Sequence, residues 1–247
     1  MAGLPQWLAT GALVVQLCSV GLAQTKPSGT IPLSTIVESV EKTHLEAHAK
    51  NPYQVVREYR LSGAHDSSSN SNVVAEITFM PPSKEQYRIE KSSGSSRGQQ
   101  VVRHVLDHEV EASLNRNQAR SALSRDNYDF EYLGEALLGG QPCYLLSLKP
   151  KRKEKELISG QAWVEKGSLI VRQVEGDLAK SPSWWLRKVH VKLAFGDMGG
   201  TIVETSMEAV ADVRVVGPHT LTSHILDYRN AEEVASIAKS PTFSSHR

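Results

Sequence analysis

Apolar and polar positions change their spacing several times along the chain. Ile36, Val37, Val40, His44 and Ala47 recur at helical intervals, behind Thr35-Ile36-Val37-Glu38 and ahead of Asn51-Pro52. The threonine hydroxyl and the glutamate three residues on fit a capping box, and the proline is a stop, so the spacing predicts a helix over about 34–50. From Tyr53 the period becomes two. Tyr53, Val55, Tyr59 and Leu61 share one face, interrupted by Arg57. Val73, Ala75, Ile77 and Phe79 repeat the pattern after a Ser/Asn turn, and Tyr87 and Ile89 after Pro81-Pro82. One dry face and one wet face is the mark of antiparallel sheet, so these runs predict a three-stranded meander. Ser92 to Gln99 reads as a Ser/Gly loop. Val101, Val102, Val105, Leu106, Val110 and Leu114 then return to helical spacing, predicting a second helix that reaches about Arg125 with a break near Asn115–Asn117.

The second half alternates almost throughout. Tyr144, Leu146 and Leu148 lead, and runs at 157–164, 169–175, 189–195, 201–210 and 221–228 follow. Gly139-Gly140, Lys166-Gly167, Gly199-Gly200 and Gly217-Pro218 punctuate them at hairpin intervals. In all, about ten strands and two helices are expected, in the order helix, three strands, helix, seven strands. No βαβ alternation appears, which excludes parallel doubly wound folds. The predicted class is mainly β (α+β): a curled antiparallel sheet forming an incomplete half-barrel, with helices covering its concave face. Residues 34–229 are expected to form one domain, and 230–247 a tail that begins with a short helix.

The N-terminal stretch changes the picture of where this sheet would work. Met1 to Ala23 carries no charged side chain, Leu8 to Leu22 is mostly apolar, and Gly21-Leu22-Ala23 precedes polar Gln24-Thr25-Lys26-Pro27. This predicts a signal peptide over 1–23 and a flexible leader over 24–33, hence a periplasmic or otherwise exported protein, soluble once cleaved. Val15-Gln16-Leu17 before Cys18 lacks the small residue that lipoprotein processing needs. Cys143 would then remain alone as a buried free thiol. Lys plus Arg total 28 and Asp plus Glu 27, leaving a net charge of +1. That balance excludes a dedicated nucleic-acid binder, which needs a basic excess to displace counterions.

Catalytic patterns are weak. Gly94-Ser95-Ser96-Arg97-Gly98 matches G-x-S-x-G, but it lies in a Ser/Gly tract with no α/β pattern around it. His44-Leu45-Glu46-Ala47-His48 has its glutamate midway between the histidines, unlike either zinc-protease order. His104 and His108 form a pair four apart without further ligands nearby in sequence. No phosphate cradle appears. A non-enzymatic protein without cofactor or metal is the expectation.

The stretch from Asn127 to Tyr228 carries a family likeness. Its residues are Tyr128-x-Phe130, Gly134, Gly140, Cys143-Tyr144-x-Leu146-x-Leu148-x-Pro150, Gly160-Gln161-Ala162-Trp163-Val164, Arg172-x-x-Glu175-Gly176 and Asp227-Tyr228. Together with the order of elements they resemble the exported outer-membrane lipoprotein-sorting family, the LolA/LolB/RseB-like superfamily. The resemblance implies an apolar cavity for a lipid or acylated lipoprotein, with a membrane-bound donor or acceptor protein as a further partner. The same fold also serves envelope interaction or stress sensing without lipid transport, which is the alternative function.

Tyr59, Phe79, Trp163, Trp184, Trp185 and Phe195 are the expected ligand contacts, because aromatic residues dominate apolar pockets. Trp184-Trp185, following Pro182, would place its rings on opposite faces of one strand. Arg57 is the expected gating residue by its position in the first strand. The basic run containing Lys151, Arg152, Lys153 and Lys155 reads as a solvated hairpin tip, or as a site of transient membrane-surface docking.

Overall fold

The computed structural model describes residues 31–47, 51–64, 67–81, 84–114, 119–215 and 217–234. The expected signal peptide, the expected leader before Ile31, Cys18, His48, the side chain of His44, the expected break at 115–117 and the tail after Val234 lie outside them. The chain divides into two compact units, Met1–Ile31 and Pro32–Arg247, and the architecture is that of the second.

Helix α1 spans Leu33–Ala47. Its first amides close on the Pro32 carbonyl, from Thr35 at 3.0 Å and Ile36 at 3.2 Å. Thr35 and Glu38 therefore sit inside the helix and not at its cap, a correction to the expected capping box. Ile36, Val37 and Val40 are buried along one stripe, as the spacing required.

Strands β1 (Tyr53–Gly63), β2 (Ser71–Met80) and β3 (Lys84–Gly94) form the meander. Helix α2 (Ser96–Ser113) follows without the expected loop: Ser92 to Gly94 complete β3, and Ser95 caps the helix by accepting from the Gly98 amide at 3.3 Å. Gly94 makes this abrupt joint with φ +83°, and a Cβ there would collide with the Asn70 carbonyl. Ser96 of the G-x-S-x-G pattern is thus the first helical residue after an antiparallel strand.

Seven strands complete the chain: β4 (Tyr128–Leu138), β5 (Gln141–Pro150), β6 (Ile158–Glu165), β7 (Val171–Leu178), β8 (Leu186–Met198), β9 (Thr201–Val213) and β10 (Gly217–Arg229). All pairs are antiparallel, in the order β3-β2-β1-β10-β9-β8-β7-β6-β5-β4, so β3 and β4 are edges and the sheet does not close. Helix α1 packs against both β4 and β9, which stand five places apart in that order. Curling brings them within reach of one helix. Pairing shifts at Val56/Arg57, Val74/Ala75, Tyr132/Gly134, Trp163/Val164 and Ala194/Phe195 supply bulges that bend a sheet in this way.

Two apolar clusters fill the concave side. One packs Val102 and Leu106 of α2 onto Val55, Tyr59, Val73, Ala75 and Ile77. The other joins Tyr128, Leu148, Leu157, Ala162 and Val174. After β10, Asn230 starts the expected short helix, its side chain accepting from the amides of Glu232 at 3.0 Å and Glu233 at 3.1 Å. Among the described residues no helix is long and apolar enough to cross a membrane.

Candidate functional site

A cavity of about 380 Å³ lies on the concave side. Val55, Ile77 and Phe79 wall it from β1 and β2, Val171 and Val174 from β7, and Leu193, Phe195, Ile202 and Val203 from β8 and β9. Val40 of α1 and Ala112 of α2 cover it. Most of these side chains occupy the inward-facing parity of their strand or the apolar stripe of their helix, which is why they share a cavity.

Set into this apolar wall is a group of charges. Arg57, on β1 at the bulge with β10, donates through Nη1 to Glu204 Oε1 at 3.1 Å and through Nη2 to the Glu204 carbonyl at 2.5 Å. Glu109 enters from α2, one further position along the stripe of Val102 and Leu106, and accepts a hydrogen bond from the Tyr59 hydroxyl at 2.9 Å. Glu85 enters from the inward face of β3. One guanidinium thus meets three carboxyl groups.

Burial sets the protonation of this group. Desolvation pushes Glu109 up to about 8, with the pull of Arg57 opposing and the carboxyls of Glu204 and Glu85 adding to the rise. Glu85 is pushed up to about 6 by burial. Glu204 also rises through burial, although Arg57 pulls the other way. Desolvation works against the charge of Arg57, but Glu204, Tyr59 and Glu109 together outweigh it and hold the guanidinium protonated. The phenol of Tyr59 is driven up by burial and by Glu109, so it stays a donor. Geometry pairs Arg57 with Glu204, and burial favours the protonated form of Glu109 beside them.

The residues expected as ligand contacts separate into two sets. Phe79 and Phe195 line the cavity, as does Arg57. Tyr59 is fully buried beneath α2 and reaches the site through Glu109. Trp163 stands on the opposite face of β6 from Ile158, Ala162 and Val164, and so points away from the cavity. Trp184 and Trp185 are not in a strand: they form the turn before β8, 85 % and 42 % exposed, away from the cavity. The Ser181 hydroxyl bonds the carbonyls of Ser183 at 2.9 Å and Leu186 at 2.8 Å and fixes that turn.

The basic run is a hairpin tip whose charges are largely answered within the protein. Lys149 pairs with Glu131 at 2.6 Å, Lys151 with Asp129 at 3.5 Å, Arg152 with Glu154 at 3.2 Å and Lys155 with Glu156 at 3.9 Å, while Lys153 is exposed. Cys143 is a buried free thiol that desolvation pushes up, an inert small hydrophobe.

The carboxyls of Glu85, Glu109 and Glu204 are site residues that sequence reasoning missed. A signal existed for each: Glu109 continues the apolar stripe of α2, Glu85 alternates with Tyr87 and Ile89, and Glu204 follows the parity of Ile202.

No protein-family model and no curated protein matches the chain. Among solved structures it is similar to a domain named for outer-membrane lipoprotein sorting from Vibrio parahaemolyticus, at 12 % identity over 78 % of this chain and 91 % of that one, with a TM-score of 0.45. It is similar to a DUF1329 family protein from Desulfovibrio piger, at 12 % identity over 88 % and 98 % of the two chains, TM-score 0.40. A LolA superfamily protein from Nitrosomonas europaea matches at 11 % identity over 81 % and 94 %, TM-score 0.39. The resemblance read from Asn127 to Tyr228 is to this same superfamily.

Proposed function

We propose that the protein is a non-enzymatic carrier that shelters an acyl chain of a lipid or lipoprotein in its concave cavity. The observation that carries this reading is the cavity itself: about 380 Å³ walled mostly by aliphatic and phenylalanine side chains around the Arg57 charge group, within the range of small-molecule sites. Burying ~10 methylenes there at about 0.8 kcal/mol each gives roughly 8 kcal/mol before ordering costs, enough for a carrier that must also release. An interaction or stress-sensing protein calls for an interior filled by its own side chains, and the open volume speaks for the carrier.

The covering helices are the parts that would move. Helix α2 holds the sheet by apolar contacts and by side-chain bonds that include Tyr59 to Glu109 at 2.9 Å and Tyr87 to Asp107 at 2.6 Å. A membrane-bound donor or acceptor would act by loosening this cover. The carrier reading also expects export, with the signal peptide over 1–23 removed. It is tested by titrating the purified chain with 11-(dansylamino)undecanoic acid: saturable binding with a blue-shifted emission supports it, and emission that stays at the value in water rejects it.

A further inference from the structure

Trp184 and Trp185 have no part in the cavity, and their exposure calls for its own explanation. Both ends of every hairpin are fixed by the strand pairing. The turn 179–185 lies at the same end of the sheet as the tip 151–157 and the turn residues Arg214 and Val215. Hydrogen bonds join the three: the Ala179 amide donates to the Leu157 carbonyl at 2.8 Å, and the Arg214 amide to the Trp185 carbonyl at 2.9 Å. Beside the tryptophans stands Val215, fully exposed and held at φ 77°, a conformation that a β-branched residue rarely adopts. Three apolar side chains are therefore displayed on fixed turns where solvent gives them no reward.

The charges around them leave a surplus of cations. At this end Asp129, Glu154, Glu156 and Asp212 each face a Lys or Arg partner, and exposed Asp126 is a carboxylate without an ion pair to a described residue. Lys153, Lys180 and Arg214 are exposed and form no ion pair with a described residue. Amphipathic aromatic rings rimmed by surplus cations match the headgroup layer of an anionic bilayer, where Trp is enriched and Lys and Arg meet phosphate.

We propose that this end of the sheet docks on an anionic lipid bilayer, with Trp184, Trp185 and Val215 entering the headgroup region and Lys153, Lys180 and Arg214 pairing with phosphates. The docking surface is separate from the cavity, so it stands or falls independently of the carrier reading.

Trp7 and Trp163 are the other tryptophans of the chain. Replacing both (W7F/W163F) leaves emission that reports Trp184 and Trp185 alone. With phosphatidylcholine–phosphatidylglycerol vesicles carrying brominated acyl chains, this full-length variant is expected to sediment and its emission to be quenched. Pure phosphatidylcholine should do neither, and added salt should weaken the effect. W184S/W185S in the otherwise unaltered chain should bind about tenfold more weakly, and K180E/R214E, which keeps both rings, should also lose affinity. Sedimentation without quenching, or equal binding by W184S/W185S with an unchanged circular dichroism spectrum, would overturn the proposal. So would recognition of an acidic protein surface with no response to lipid.

Discussion

Arg57 and Glu204 face each other across an intervening strand: β10 separates β1 from β9, yet the guanidinium reaches both the carboxylate and the backbone carbonyl of Glu204. The pair is 147 residues apart in sequence and draws the sheet inward at the cavity. Replacing one member leaves an uncompensated buried charge, whereas replacing both removes the charge and its desolvation cost together. R57M is expected to lose about 3 kcal/mol of stability in urea denaturation, and R57M/E204L to recover at least half of that loss. Additive losses in the double variant would show that the pair is not coupled.

The proton on Glu109 gives stability a pH dependence with a definite sign. The native carboxyl titrates at about 8, while in the unfolded chain it has an ordinary value near 4.3. Between those values the native state binds more protons, so stability falls as pH rises through the window. Glu85, raised to about 6, acts in the same direction over the lower part of it. The unaltered chain should lose roughly 3 kcal/mol or more between pH 5 and 8, and E109Q, which keeps an acceptor for Tyr59, should lose much less. Denaturation midpoints at the two pH values check this.

Gly160 and Gly176 lie opposite each other on β6 and β7, and each fills space that a side chain cannot share. A Cβ on Gly160 would run into the Glu175 carbonyl, while one on Gly139, in the β4–β5 turn at φ +56°, meets nothing within 4 Å. G160A should therefore cost about 2 kcal/mol or more through backbone displacement, and G139A about 1 kcal/mol through strain alone. Thermal melts of the two variants should rank them in that order.

Ala112 on α2 lines the cavity without belonging to either apolar cluster. A112F should fill part of the volume and weaken dansylundecanoic acid binding about tenfold while leaving the melting temperature within a few degrees. Unchanged affinity would place the probe elsewhere.

The strands were legible because each buries one face and wets the other, so a period of two survives in the sequence from Tyr53 to Tyr228. The turn at Trp184-Trp185 was not. Two adjacent aromatics read as strand on propensity, and the hydroxyl of Ser181 that folds them into a turn leaves no periodic trace. The start of α2 was missed for a related reason. A Ser/Gly tract looks like a loop, although Ser96-Arg97-Gly98-Gln99 has the spacing of a helix start and Ser95 supplies the cap. The carboxyls around Arg57 come from β3, α2 and β9. Each was visible alone as a charge at an inward position, but their convergence depends on the curl of the sheet.

The central claim is that the cavity shelters an acyl chain, and native mass spectrometry of the protein purified without denaturants from the cells that make it tests this most directly. The account predicts a stoichiometric mass above that of the polypeptide, released on organic extraction as a lipid or acylated peptide. An apo mass that stays unchanged after incubation with fatty acid, phospholipid and lipopeptide would contradict it.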